Sequence, residues 1–409
     1  MKKLFYNVNT CLLLVVLAVM ALTQTGCKKD TSSSTGVPVI TSIRDYVAHP
    51  GDSLISKVGT GQWVVISGHN LKGALNVYFD GTPAAAFNDV WSSDTSAIAE
   101  IPSVIAFPIV PTKQLNTIRY VTTHGETTFS FPIVAPAPQI TGISDEAAAA
   151  GDSVKIYGLS FFFVKSVTYA GLPVTSFTSS NDGTSISLAV PAGVTNTGGV
   201  VSVTTPSGTA TTTYNVHDFV DGVFQNWDSI NGYPWGSNTE NSSTDFPGNT
   251  GYYNVITATN ISANDFGWYN GGRGVNMGAS QWVPTADIDS SLSSYAVKFE
   301  ISVPKSTPWS GGSIFVAVNY GFTYIARYRP WINSAGKITP FSTTGWITVT
   351  VPLSTFLTNN GTGTPVDSIT DLVGASGNNG MNIWYINDGS TPVAAFTMAI
   401  DNIRVVKIN

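Results

Sequence analysis

Two stretches of this chain, set one hundred positions apart, carry the same punctuation. Pro38-Val39-Ile40-Thr41-Ser42-Ile43 is matched by Pro138-Gln139-Ile140-Thr141-Gly142-Ile143, and Gly51-Asp52-Ser53 by Gly151-Asp152-Ser153. After a longer insertion in the first copy, Val65-Ile66-Ser67-Gly68 corresponds to Lys155-Ile156-Tyr157-Gly158, and Val77 through Pro83 to Val167 through Pro173. Each copy closes on a strand pair, around Ile118–Phe131 and Val200–Tyr214, turning at His124-Gly125 and Ser207-Gly208. An internal repeat marks one folding unit used twice. Within each copy short runs alternate apolar and polar residues and stop at Gly or Pro, the period of strands that bury one face. The repeat therefore predicts two small β-sandwiches, over 37–135 and 136–216. Pro132, Pro136 and Pro138 punctuate the junction and stiffen it, because proline fixes φ.

Residues 217–409 are too many for a third copy. Strand signals continue at Tyr295–Val303, Ser313–Asn319, Thr323–Arg329, Trp346–Val351, Met381–Ile386 and Ala395–Val406. In the first of these Val297, Phe299 and Ile301 share one face, while Lys298 and Glu300 share the other. No long helical pattern occurs. The fold class expected is all-β: two immunoglobulin-like sandwiches followed by a larger jelly-roll-like β-sandwich over 217–409. Only 11% of the residues are charged and the net charge is −6, which excludes the basic face that nucleic acid requires.

Eight of the ten tryptophans follow residue 226: Trp227, Trp235, Trp268, Trp282, Trp309, Trp331, Trp346 and Trp384. Several stand beside small polar residues, as in Gly267-Trp268-Tyr269-Asn270 and Pro308-Trp309-Ser310-Gly311-Gly312. A rigid indole suits the apolar face of a sugar ring, and the neighbours can bond its hydroxyls. On this reasoning the candidate binding residues are Trp309, Trp331 with Arg329, Trp268, Tyr269 and Trp282. Trp268 and Tyr269 are adjacent, so in an extended segment one packs and the other binds, and the sequence does not say which. Trp346, at a strand start after Gly345, suits an edge anchor.

Several chemistries lack their motifs. H-E-x-x-H, G-x-S-x-G and a Walker or Rossmann glycine pattern do not occur. The four histidines, His49, His69, His124 and His217, are scattered. Glycoside hydrolysis needs two carboxylates across one bond. Glu240, Glu300, Asp265, Asp287, Asp289 and Asp388 are available, but no spacing singles out a pair. A hydrolase or lyase using an acidic pair in the last domain is the alternative, and no catalytic residue is assigned. No cofactor is expected, although Asp401 near the last strand could hold a structural Ca²⁺.

The amino terminus reads as a targeting segment. Lys2 and Lys3 precede an apolar stretch from Cys11 to Leu22 that is too short to span a bilayer, and Gly26-Cys27 follows. This resembles a bacterial lipoprotein signal over 1–27, with Cys27 as the lipidated residue. Residues 28–36, opening Lys28-Lys29-Asp30-Thr31-Ser32-Ser33-Ser34, are similar to the tether of surface-exposed lipoproteins in Bacteroidota.

Pro-x-Ile-x-x-Ile, Gly-Asp, Ile-x-Gly and a later Gly-x-Pro resemble the IPT/TIG family in 37–135 and 136–216. With Ser306–Gly312, Tyr328-Arg329-Pro330-Trp331 and Thr344–Val349, the whole resembles the surface glycan-binding lipoproteins of Sus-like polysaccharide utilisation systems, the xyloglucan type above all. That resemblance implies a noncatalytic protein at the outer membrane, lipid-anchored and surface-exposed, capturing a plant β-glycan. Its implied partners are the polysaccharide, a TonB-dependent transporter and a SusD-like protein.

Overall fold

The computed structural model describes residues 36–409 apart from His49, residues 231–235, Thr250 and Gly271. The signal segment with Cys27, the tether up to Thr35, and Trp235 lie outside the described residues. The chain is almost wholly β, in two compact units: 36–105 with 111–133, and 106–110 with 134–409.

The first unit is a sandwich of two antiparallel four-stranded sheets. One runs in the order Val39–Asp45, Trp63–His69, Ser96–Glu100, Ala86–Ser92; the other Thr82–Pro83, Ala74–Phe79, Thr117–Thr122, Gly125–Ser130. Val64, Ile66, Val77, Phe79, Ile118 and Tyr120 are buried between them.

The second unit opens with the same design. Gln139–Ile143, Ser153–Leu159, Ser185–Ala189 and Phe177–Ser179 form one sheet; Leu172–Pro173, Ser166–Tyr169, Ser202–Thr205 and Gly208–Thr211 form its partner. Two details explain the repeated residues. The first strand of each copy bulges at the same place, between Ile40 and Ser42 and between Ile140 and Gly142. Opposite each bulge stands a glycine: a Cβ on Gly68 would lie 1.9 Å from the Val39 carbonyl oxygen, and one on Gly158 2.0 Å from that of Gln139. The bulge pushes one backbone onto the other, so only glycine fits.

The rest of the second unit is a larger sandwich. A six-stranded sheet runs Thr239–Glu240, Tyr253–Ile261, Val393–Lys407, Tyr295–Ser302, Ile347–Pro352, with Val223–Gln225 also on the long Val393–Lys407 strand. Facing it, a four-stranded sheet runs Gly274–Gln281, Asn378–Ile386, Ser313–Val318, Ile325–Tyr328. Val297, Phe299, Ile301, Val316, Ile383 and Met398 meet in the core between them.

Alternation in the Tyr295–Ser302 strand is as read from the sequence, but its polar face is not solvated. All eight residues are buried, because the preceding module packs on that face. Glu146 of the module bonds Lys298 Nζ at 2.5 Å and Arg404 Nη2 at 2.7 Å, and Arg404 Nη1 in turn bonds Glu300 at 2.8 Å. Thr348 donates from its hydroxyl to Glu300 at 3.0 Å and accepts from the Glu146 backbone N–H at 2.7 Å. Each buried charge therefore has an opposite charge and further hydrogen bonds, the condition under which burial is tolerated.

Candidate functional site

The outer face of the four-stranded sheet carries a second set of apolar side chains. Register places Gly274, Trp384, Phe315 and Arg327 in one row across the four strands, and Asn276, Asn382, Ala317 and Ile325 in the next. Alternation sends these residues away from the main core. Phe315, Ala317, Ile325, Trp384 and Ile386 form their own buried cluster, against which Phe266, Trp268 and Phe322 pack.

Two loops cover this cluster and bring up the aromatic rings. Trp268 lies flat on Trp384, centroids 4.8 Å apart and planes 18° from parallel. Gly274 makes room at the sheet edge, since a Cβ there would lie 2.8 Å from Trp384 Cδ1. Tyr269 stands edge-on to Trp268 at 5.9 Å and is 67% exposed. From the other loop Tyr320 reaches Trp268 at 6.0 Å and is 47% exposed. The partly exposed face of Trp268 is thus bounded by two outward phenols.

Hydrogen bonds hold the platform in place. Trp384 Nε1 donates to Asn276 Oδ1 at 2.7 Å, and Asn382 Nδ2 donates to the same oxygen at 2.8 Å. Asn382 Oδ1 accepts the backbone N–H of Tyr320 at 2.5 Å. The loop bearing Trp268 is clamped at its base, where Asp265 meets Arg273 at 2.9 Å and accepts the Gly267 N–H at 2.8 Å. The Gly267 N–H, and then Arg273, hold the Asp265 carboxyl below its usual range despite some burial. Asn319 and Tyr320 both take positive φ, 47° and 60°, and the Gly321 N–H closes the turn onto Val318 O at 2.9 Å. A tyrosine in this region of backbone space is strained, a feature concentrated at functional sites.

The expected residues separate into two groups. Trp268 and Tyr269 belong to the platform: Trp268 packs one face on Trp384 and Tyr269 is the outward ring. Trp309 and Trp282 do not offer an exposed face, and this corrects the expectation. Both are buried in the main core. Trp309 packs edge-on against Tyr328, Phe341 and Phe396, and donates from Nε1 to Gly311 O at 2.8 Å. Trp282 donates to Asn379 O at 3.0 Å. Trp331 is half-buried against the same core with its N–H on Gly312 O at 2.8 Å, and Arg329 beside it is exposed. Neither joins the platform. Trp346 is buried beside Phe246, Tyr253 and Val255, as an edge anchor should be.

Tyr320, Asn276 and Asn382 are not singled out by the sequence, and Trp384, one of the eight tryptophans, is fully buried beneath Trp268. The Asn319-Tyr320-Gly321 turn between two strands was the available signal, since Asn and Gly mark a hairpin that needs positive φ.

Four of the six acidic residues weighed for catalysis, Asp265, Asp287, Glu300 and Asp388, are held by basic partners. Asp388 pairs with Arg327 at 2.6 Å, Asp287 with Lys407 at 3.0 Å, and Glu300 lies in the buried network. Asp401 borders a cavity of about 330 Å³ between the second module and the larger sandwich, with Asp145, Asn226, Asn249 and Trp346. Its oxygens already accept from Asn249 Nδ2 at 2.8 Å and the Asn402 N–H at 2.7 Å. Burial raises its pKa well above the carboxylate range. No group of three or more His, Cys, Asp or Glu placed to hold a metal occurs among the described residues.

Comparison with known proteins bears on the same part of the chain. Residues 216–407 match the family model described as the surface glycan-binding protein B xyloglucan binding domain. The platform just described lies wholly within the matched residues. An IPT/TIG domain-containing protein of Bacteroides ovatus is 29% identical over 169 residues, 41% of this chain and 34% of that protein, so the chain spans about a third of that relative. The crystal structure of surface glycan-binding protein PbSGBP-B from Prevotella bryantii is similar in fold at a TM-score of 0.68 and 21% identity, covering 91% of this chain and 99% of that one. SGBP-B from a complex xyloglucan utilization locus in Bacteroides uniformis aligns over 91% of this chain and 99% of its own at 20% identity, with a TM-score of 0.49. The Prevotella bryantii protein is described as a surface glycan-binding protein.

Proposed function

We propose that this chain is a noncatalytic, cell-surface polysaccharide-binding lipoprotein that captures a plant β-glycan such as xyloglucan, another β-glucan or a mannan. The observation that carries the reading is Trp268, seated on Trp384 and flanked by the exposed rings of Tyr269 and Tyr320. A sugar ring stacks on such a surface through its C–H face, and each stacked pair contributes on the order of 1 kcal/mol beyond the area it buries. Affinity per site is then modest, and many copies at one surface supply avidity. Lipidation at Cys27 anchors the chain to the outer membrane in this reading, with a TonB-dependent transporter and a SusD-like protein as partners in uptake. The match of residues 216–407 to a xyloglucan binding domain model supports it.

Affinity electrophoresis in xyloglucan, mixed-linkage glucan, galactomannan and glucomannan gels tests the reading. The wild-type chain is retarded in at least one gel, and Tyr269→Ala with Tyr320→Ala weakens that binding by roughly 1–3 kcal/mol, the range for truncating an interface aromatic. Release of reducing ends from any of the four would establish the hydrolase alternative instead.

A further inference from the structure

The first unit holds the two tryptophans outside the glycan-binding domain, Trp63 and Trp91, and the fold puts them side by side. Trp63 opens a strand whose alternate residues, Trp63 and Val65, face outward; Glu100 is its cross-strand partner, and Ile98 is that of Val65. Tyr46 follows the neighbouring strand, two residues after Arg44, which pairs with Val65. Trp91 comes from the irregular part of the Ala86–Ser92 strand, where the register with its partner shifts between Phe87 and Ser92. The ring centroids run Tyr46 to Trp63 at 5.7 Å and Trp63 to Trp91 at 5.7 Å. With Ile98 they line a cleft of about 220 Å³. Tyr46 is 57% exposed and Trp91 42%.

Nothing in the core of this sandwich needs these rings. Its interior is filled by Val64, Ile66, Val77, Phe79, Ile118 and Tyr120, which face the other way. A row of three aromatics, the outer two exposed and Trp63 between them half-buried, is a surface that meets something, since isolated modules seldom leave such patches open.

We propose that this row is a second carbohydrate-binding site, taking a segment of a neutral polysaccharide chain by stacking. Three observations favour that occupant. The rings are flat, adjacent and separately tilted, at 35° and 58°, which suits successive sugar rings better than one planar ligand. Arg44 is neutralised by Asp52 at 2.8 Å while the Glu100 carboxylate stands opposite Trp63, so the face disfavours an anionic glycan and suits a neutral one. A cleft of four lining side chains is too small for a second copy of the chain, because a stable interface buries about 800 Å² on each partner. On this proposal the first unit is a binding module as well as a spacer, and one glycan strand could be held at two places, which multiplies retention.

The test uses the full chain in four forms: wild type, the platform variant Tyr269→Ala/Tyr320→Ala, the first-unit variant Tyr46→Ala/Trp91→Ala, and all four substitutions together. Each is run in the four polysaccharide gels, with melting temperature as the check on folding. In at least one gel the first-unit variant loses about five- to tenfold in affinity, and the combined form binds more weakly than the platform variant alone. Trp91→Phe, which keeps a stacking face, restores part of the loss.

A combined form that matches the platform variant in every gel, with all four proteins folded, overturns the second site and leaves the proposed function standing. Binding lost only in the first-unit variant keeps the second site and removes the platform assignment. A wild-type chain retarded in no gel sinks both. Sedimentation supplies the remaining outcome: self-association abolished by Tyr46→Ala/Trp91→Ala, with glycan retention unchanged, would show the patch to be a contact between copies and overturn the proposal.

Discussion

Tryptophan meets different fates within residues 216–407, and for most of them the indole N–H explains the outcome. Buried indoles need an acceptor. Trp309, Trp331, Trp282 and Trp346 donate to the carbonyls of Gly311, Gly312, Asn379 and Phe246. The Gly-Gly step that suggested an open loop around Trp309 is what exposes two carbonyls to capture indoles. Tyr385 Oη adds a third bond to the same step, donating to Gly311 O at 2.9 Å. Loop glycines beside a tryptophan can thus mark a clamp as readily as a binding surface. Trp309→Ala should therefore cost roughly 3–5 kcal/mol of stability, as large-to-small core changes do, and leave glycan affinity per folded molecule unaltered. Tyr269→Ala should do the reverse, with melting temperature hardly moved. Thermal melts and affinity gels on the two proteins check both halves. A stable Trp309→Ala protein with lost binding would return Trp309 to the site.

At the scale of the element, a turn and a strand stand out. Asn319 and Tyr320 adopt the left-handed region in succession, where the Cβ of an ordinary residue costs roughly 1–2 kcal/mol. The Asn382 side chain secures the Tyr320 N–H and offsets part of that strain. Tyr320→Gly should keep the turn, raise or hold the melting temperature, and weaken glycan binding. If binding survives in full, Tyr320 is a turn residue and no part of the platform. In the Tyr295–Ser302 strand, alternation correctly separated Val297, Phe299 and Ile301 from Lys298 and Glu300. What it could not convey is that both faces are covered, because the cover comes from Glu146, more than a hundred positions earlier. Period-two patterning reports which side chains share a face, and says nothing of what lies over it.

For the molecule as a whole, the second module and the glycan-binding domain form one compact unit joined through the charge network. Burial opposes ionisation of Glu146, but Lys298 and Arg404 outweigh it and hold its pKa below the usual value. Glu146→Ala would leave Lys298 buried without its counter-charge, and breaking such a pair costs roughly 3–5 kcal/mol. Chemical denaturation should show that loss, and a loss below 1 kcal/mol would mean water reaches the network freely. Asp145 behaves oppositely: burial first, then the nearby Glu300 charge, push its pKa up to about 8. A folded state that holds its proton more tightly than the unfolded chain, at about 3.9, gains stability at low pH and loses it as pH rises through the folded value. Asp145→Asn should therefore flatten the fall in melting temperature between about pH 4 and about pH 8. A variant with an unchanged slope would show that Asp145 ionises normally.

The all-β class, the repeated module and the skew of aromatics toward the carboxyl end are legible in the residues alone. Each is written in local periodicity, in bulge and turn residues, or in plain composition, and these need no knowledge of distant contacts. Which aromatics face outward follows instead from long-range packing. Trp268, beside Gly267 and Asn270, and Trp309, beside Pro308, Ser310 and Gly311, both read as loop residues, yet one lies on the outer face of a sheet and the other inside the core. The choice depends on which face of the four-stranded sheet each loop crosses, and that is set by the pairing of strands far apart in the chain. The same reason brings Trp63 and Trp91 together: they stand 28 positions apart in the chain and 5.7 Å apart in space, because the strands that carry them share one sheet.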